Sequence, residues 1–435
     1  MARLCIVKGR VLDPANGIDE RLNVYIDDGI IRELSEAAPG GEWEVLDASG
    51  CWVMPGLIDM HVHLRQPGQE GKETIRTGTR AAAAGGITSV VPMANTSPVI
   101  DDATGVEYLL RIARAEGLVR VWPIGTVTRE LAGRELSDIG EIVAAGAVAV
   151  SDDGRGIMDG CVMRRALQYC KQFNLPILIH AEDHNLSAEG VMHEGAFSTI
   201  MGLPGQPSES ESTMVARDCL LAEAVGGRVH VCHVSAKETC DIIRFFKSRG
   251  VAVTGEATPH HFSLTDEAVD GYNTHAKVSP PLRTEEDRAA VCAALADGTL
   301  DVIASDHAPH MAIEKELEFD QAPFGMVGLE TMWALVLDRL VHGGLLSPLE
   351  AVRKCTENPA RILGIARGTL SPGAEADVAI CDPEWEWRVE PEKFQTKGRN
   401  TPFAGWKLRG KVRDALVSGR FVLREGEVVD ATPLP

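Results

Sequence analysis

The chain has 435 residues, 44% of them hydrophobic, enough for one large α/β domain and a smaller companion with an ordinary packed core. Its 43 basic and 63 acidic residues leave a formal charge of -20, a field that argues against nucleic acid or an anionic membrane surface as principal partner. The start, "MARLCIVKGRVLD", lacks the apolar core of a signal peptide, and no apolar run approaches a membrane span, so a cytoplasmic protein is expected.

Residues 1–52 alternate β-branched and polar positions, as in "CIVKGRVLD" and "NVYIDDGIIREL", and read as strands broken by Gly and Asp turns. From residue 53, short apolar runs alternate with segments of helical period. The strand candidates are residues 53–63, 87–95, 119–127, 147–153, 176–182, 228–236, 251–261 and 301–310. Between them lie helix-like stretches such as "ETIRTGTRAAAAGG", "ATGVEYLLRIARAEG" and "KETCDIIRFFKSRG", several ending in glycine. This alternation predicts a (β/α)8 TIM barrel over residues 53–369. The connection 194–212 is the longest polar, Gly/Pro-containing link, and it reads equally as a substrate-proximal loop or a surface connection. After residue 370 the alternating pattern returns in "ADVAICD" and "VRDALVSGRFVLREGEVVD". Residues 1–52 and 370–435 are therefore expected to form one small β-sandwich. The ten cysteines show no C-x-x-C pair, and most sit in apolar segments, the pattern of reduced core thiols.

"IDMHVHLRQPG" (58–68) is the most telling stretch. In an extended strand residues i and i+2 share a face, so His61 and His63 can reach one point while Met60, Val62 and Leu64 turn away. Other strand candidates end in metal-capable residues: Asp152 and Asp153 on the fourth, His180 on the fifth, His233 on the sixth, Asp306 on the eighth. The C-terminal ends of barrel strands converge on one mouth, so wide sequence separation is no obstacle to a joint site. Any one histidine alone is better read as structural, but the set together reads as a metal site. Four histidines and two carboxylates exceed the usual three protein ligands of one catalytic zinc, so two metals sharing a carboxylate bridge are expected. His184, His193, His230, His275 and His342 receive no role, and His260 and His261 read equally as mouth-lining or structural.

The segments "PGLIDMHVHLRQPG", "MANTSP", "SDDG", "IHAED", "CHVSA", "DHAPH" and "PFGMVGLET" together resemble the dihydroorotases of the cytoplasmic bacterial type, within the amidohydrolase superfamily. The resemblance runs over nearly the whole chain. It implies zinc-dependent, reversible hydrolysis of the cyclic amide of dihydroorotate to N-carbamoyl-L-aspartate, in pyrimidine biosynthesis. It also implies two Zn2+ per chain, with His61 and His63 on the first and His180 and His233 on the second. Asp153 and a hydroxide would bridge them, and Asp306 would lie beside the first metal as the proton-transfer residue. The choice of Asp153 over Asp152 rests on the family pattern alone. Arg65, Asn95 and His310, with His63, would hold the substrate carboxylate and ring, Phe324 and Gly325 adding backbone contacts. An Arg65 guanidinium fork suits a carboxylate in an otherwise acidic protein.

Two departures stand out. Ser279, in "VSPPLR", occupies a substrate-contact position where the family commonly has asparagine, and Ala181 stands where cysteine is frequent. Two other readings of the same barrel exist. Hydantoinases, dihydropyrimidinases and allantoinases typically bridge their metals with a carboxylated lysine at the end of strand 4, and this chain has no lysine between Lys72 and Lys171. A non-catalytic scaffold for aspartate transcarbamoylase would characteristically lack zinc ligands, and here all six are present. The partners expected are the small-molecule substrate and further copies of the chain, without nucleic acid or membrane. An active enzyme that also binds the transcarbamoylase stays open.

Overall fold

The computed structural model describes residues 3–430. Eight short parallel strands line a ring: β1 (Leu57–Val62), β2 (Ile87–Pro92), β3 (Arg120–Val121), β4 (Val150–Ser151), β5 (Ile177–Ile179), β6 (Val229–Val231), β7 (Val253–Ala257) and β8 (Val302–Ile303). Ladders join β1 to β3 and β4 to β8, and parallel bridges between Gly125 and Val150 and between Val62 and His307 complete the circle. This is a (β/α)8 barrel.

Each of the first seven strands is followed by a helix on the outside: α1 (Ile75–Ala84), α2 (Ala103–Glu116), α3 (Ile139–Ala144), α4 (Gly160–Cys170), α5 (Glu209–Val225), α6 (Lys237–Ser248) and α7 (Glu285–Ala296). Several start on side chains that satisfy the first free N–H groups. Thr74 and Thr77 cap α1 reciprocally, Asp102 accepts from Gly105 N at 2.8 Å at the head of α2, and Thr284 and Asp287 form a capping box for α7. The buried faces of these helices and the outward faces of the strands merge into one apolar layer, which includes Met60, Val62 and Leu64. With those three turned outward, His61 and His63 are left to the inside.

The run 53–63 is two strands, not one. Residues Trp52–Pro55 pair antiparallel with the C-terminal strand Val378–Arg388, and the barrel begins only after Gly56. At Gly56 a Cβ would lie 2.1 Å from Thr88 Oγ1, so a side chain there would push β2 away. Terminal strands build a seven-stranded sheet in the order Glu427–Val428, Arg420–Arg424, Lys407–Val417, Val378–Arg388, Trp52–Pro55, Arg10–Asp13, Ile18–Arg21. A four-stranded sheet of N-terminal strands, Ile30–Ser35, Asn23–Asp27, Leu4–Val7 and Glu44–Asp47, packs on it through Ile6, Val24, Ile26, Val53, Val378 and Leu416. Asp28-Gly29, Ser418-Gly419 and Glu425-Gly426 take positive φ at both positions, the backbone of tight two-residue hairpin turns.

Two local readings change. His260 and His261 lie in a short helix, Pro259–Ser263, because Thr258 and Pro259 start a helical turn directly after β7. The link 194–212 is largely ordered: it holds a helix at Ala196–Met201, a parallel pair between Met192–His193 and Gly205–Gln206, and the start of α5. Buried Arg283 fastens it, donating to Gln206 O at 2.8 Å. Nine of the ten cysteines are buried, Cys161 being exposed. No helix among the described residues is long and apolar enough to cross a membrane.

Candidate metal centre

The strand ends bring the expected ligands to one point. His61 Nε2 lies 3.5 Å from Asp153 Oδ1 and 3.4 Å from Asp306 Oδ1. His63 Nε2 lies 3.1 Å from Asp306 Oδ1 and 3.6 Å from Asp153 Oδ2. His180 Nδ1 and His233 Nε2 approach Asp153 Oδ1 as well, at 3.6 and 3.7 Å, and are themselves 2.9 Å apart. Asp153 thus turns Oδ1 to His61, His180 and His233, and Oδ2 to His63. Asp152 points elsewhere: its carboxylate accepts from Val127 N at 2.7 Å and Thr128 N at 3.0 Å and is tied to the Thr128 hydroxyl, joining β4 to the end of the third barrel segment.

These spacings suit a shared cation. Two donor atoms about 2.0–2.1 Å from a tetrahedral zinc are roughly 3.4 Å apart. The buried His61 Nε2 and Asp153 Oδ1 have no hydrogen-bond partner among the described residues. A buried polar atom without a partner is costly, and a metal bond would satisfy both. The groupings His61, His63, Asp306 and His61, Asp153, His233 each place three ligand atoms within 4.8 Å of one another. Backbone geometry contributes: His233 and Asp306 have φ of 35° and 47°, left-handed conformations that aim a side chain inward as the chain leaves its strand.

Beneath this layer lies a residue that spacing did not reveal. Glu256, on β7 and fully buried, has Oε1 2.6 Å from His61 Nδ1 and Oε2 3.1 Å from His230 Nε2. A carboxylate on Nδ1 leaves Nε2 of His61 as the metal-facing nitrogen and makes it more basic. Glu182 acts likewise on His180, Oε2 lying 2.9 Å from Nε2 and fixing Nδ1 as the inward atom. His230, given no role from sequence, is a second ring on the Glu256 carboxylate.

The electrostatics favour positive charge throughout. Burial acts against protonation of His61, yet Glu256, Asp306 and Asp153 raise it well above the usual imidazole range. Burial likewise opposes bonds to Asp153 and Glu182, which win and lift His180 to about 10. Burial works to raise Asp153, but the surrounding imidazoles of His61, His180 and His233 hold its carboxyl well below the ordinary range. Asp306 is held down against its burial by His61 and His63, and Glu256 is lowered to about 2 by His61 and His230 despite complete burial. Ionised carboxylates and drawn-up histidines describe a negative potential, whose natural counterpart is a cation.

A cavity of about 140 Å³ opens beside these ligands, lined in part by Arg65, Asn95, Ser279, Phe324 and Gly325. Arg65, with φ 60°, directs Nε to Pro309 O at 3.3 Å, and its Nη2 lies 3.3 Å from His310 Nε2. His310 Nε2 is also 2.8 Å from Phe324 O. His310 supports this wall from behind. Asn95 bridges the two sides, its Oδ1 3.2 Å from His63 Nδ1 and its Nδ2 donating to Asp153 Oδ2 at 3.1 Å. Ser279 turns its hydroxyl to Glu182 Oε2 at 3.4 Å, so the departure at this position ties the pocket to the carboxylate that orients His180. Ala181 is buried in the apolar layer. The segment after His310 forms a short helix, Ala312–Lys315, anchored by buried Lys315, which donates to Thr274 O at 3.0 Å and Pro323 O at 2.6 Å.

A Dihydro-orotase-like family model matches residues 50–239, and an Amidohydrolase family model matches residues 221–429. A dihydroorotase of Pelotomaculum thermopropionicum is 54% identical, over 97% of this chain and 99% of the relative. One from Anaeromyxobacter dehalogenans is 50% identical over 98% of each. Among solved structures, an L-hydantoinase (dihydropyrimidinase) from Arthrobacter aurescens superposes with a TM-score of 0.89 at 26% identity, over 99% of this chain and 98% of that one. With half its residues shared along the full length of those relatives, on an amidohydrolase barrel whose strand ends gather side chains able to hold a metal, the chain belongs to the dihydroorotase family of cyclic amidohydrolases.

Proposed function

We propose that the protein catalyses the reversible hydrolysis of (S)-dihydroorotate to N-carbamoyl-L-aspartate in the cytoplasm, with two zinc ions per chain. The barrel, which begins at Leu57, carries the catalysis. His61, His63 and Asp306 would hold one ion, His180 and His233 the other, and Asp153 would lie between them. Zinc bound there supplies a water acidified toward neutral pH and a Lewis acid for the ring carbonyl.

The observation that carries the reading is that the half-buried guanidinium of Arg65 lines one cavity together with Asp153, Asp306, His63, His180 and His233. Arg65 offers a planar fork to the substrate carboxylate, and partial burial strengthens that bond by excluding water. Asp306 stays ionised, pressed down by His61 and His63. Its carboxylate can therefore take a proton from attacking water and deliver it to the leaving amide nitrogen. In the reverse direction the same group removes the proton as the ring closes. Asn95 keeps His63 and Asp153 in mutual register while its edge remains on the cavity. The hydantoinase alternative is less well supported, since the end of β4 presents Asp152 and Asp153 rather than lysine. Self-association and a complex with aspartate transcarbamoylase are both compatible with catalysis, and gel filtration of the two proteins mixed distinguishes them.

Arg65→Ala is expected to raise KM for dihydroorotate about tenfold or more, the worth of a lost charge-assisted bond, with a smaller change in kcat. Steady-state kinetics check this. An unchanged KM would mean that the carboxylate sits elsewhere.

A further inference from the structure

We propose that Asn400, contributed by the segment that follows the barrel, is a positioning residue that sets the carboxylate-binding wall of the pocket. The inference rests on the reading of Arg65, His310 and the Phe324–Gly325 backbone as that wall.

Asn400 is buried and lies 90 residues beyond His310, yet it joins the two segments that build the wall. Its Nδ2 donates to Ala308 O and to Gly325 O, each at 3.0 Å. Its Oδ1 accepts from His310 N at 3.1 Å, and its backbone oxygen accepts from Val327 N at 2.9 Å. Ala308 and Gly325 both line the cavity, so a single amide ties together the two segments of this wall. His310 N lies in the residue whose ring meets Arg65, and Gly325 follows Phe324, whose oxygen meets that same ring.

The amide is the one small side chain that matches this surrounding. Two carbonyls need donors and one N–H needs an acceptor, which asparagine supplies from a single planar group. Aspartate has the same shape but presents only acceptors when ionised, so two carbonyls would face a buried negative charge. The wall leaves little slack for a compensating shift. Gly325 has φ 129°, and a Cβ there would come within 2.8 Å of Ala308 Cβ. Gly398, two residues before Asn400, is equally confined: a Cβ would lie 2.8 Å from Asn400 Oδ1, 2.7 Å from Val327 Cγ1 and 2.8 Å from Pro309 Cβ. Nothing in this segment reaches the metal-ligating side chains directly, so its effect should fall on substrate binding.

The test is the steady-state kinetics of Asn400→Asp and Gly398→Ala beside Arg65→Ala, with zinc per chain and Tm measured on each preparation. The expected result is a KM for dihydroorotate raised about tenfold in both Asn400→Asp and Gly398→Ala, with kcat within about threefold of the parent. Zinc content should match the parent. Should Asn400→Asp fail to fold, Gly398→Ala carries the test by the same criterion, since it displaces the amide without removing it. A lowered Tm or kcat with unchanged KM would overturn the inference and leave Asn400 a purely structural residue. If Arg65→Ala raises KM and the Asn400 and Gly398 variants do not, the inference alone fails. If Arg65→Ala also leaves KM unchanged, the underlying reading of the wall fails, and the inference with it.

Discussion

Asp306→Asn is expected to lower kcat by about 10²–10⁴-fold, the usual contribution of a positioned proton-transfer group, while zinc per chain stays close to that of the parent. The asymmetry follows from the geometry. Asp306 touches the centre through Oδ1, 3.1 Å from His63 Nε2 and 3.4 Å from His61 Nε2, and both of those histidines are also held by Asp153. An amide in its place keeps an oxygen for the metal but cannot cycle a proton near neutral pH. Removing the charge should therefore spare assembly and stop turnover. Metal analysis and kinetics on the same preparation check both halves. Near-normal turnover would show that another group moves the proton.

Glu256→Gln should weaken metal affinity about 10–100-fold, the range found when a carboxylate that orients a metal-bound histidine is replaced. The glutamate is wholly buried and serves two rings, and it also accepts from His233 N at 3.3 Å. Glutamine can offer its oxygen to one ring, but its NH2 then faces the other, and the ionised acceptor that fixes the His61 tautomer is gone. Competition against a chelator of known affinity reads the change. An unchanged zinc affinity would show that the tautomer of His61 is fixed by other means. The same substitution tests why a carboxylate is tolerated inside the barrel, since its burial is offset by the two histidines that keep it ionised.

The barrel was legible because its elements carry their signals locally. Short apolar runs separated by capped helices mark the eight strands, and the alternation of His61 and His63 against Met60, Val62 and Leu64 states which face looks inward. That the strand-end histidines and carboxylates meet at one point was legible for the same reason. What escaped the sequence depends on partners far along the chain. Glu256 pairs with a histidine 195 residues away, and Asn400 serves backbone groups 75 to 92 residues away. The one available signal was an acid inside an apolar strand, "VTGEA", and Asp59 in "LIDMHV" shows the same pattern, accepting from His61 N at 3.2 Å and Ser305 N at 3.1 Å. Asp152 and Asp153 could not be separated by spacing, because adjacent residues at a strand end both leave the ladder. Only tertiary structure shows one bound to Thr128 and the other to the histidines. The break at Gly56 was hidden for another reason. Two consecutive strands with similar composition read as one, although Trp52–Pro55 belongs by its pairing to the sheet of the chain ends.

On the proposed reading, the metal centre and Arg65 together select dihydroorotate among cyclic amides. The most direct measurement is turnover of dihydroorotate beside dihydrouracil, hydantoin and allantoin, on one preparation whose zinc per chain is determined at the same time. The expected result is selective hydrolysis of dihydroorotate, lost on chelation and restored by zinc. Zinc-replete protein that is silent on dihydroorotate, whether it opens another ring or none, would rule that selectivity out.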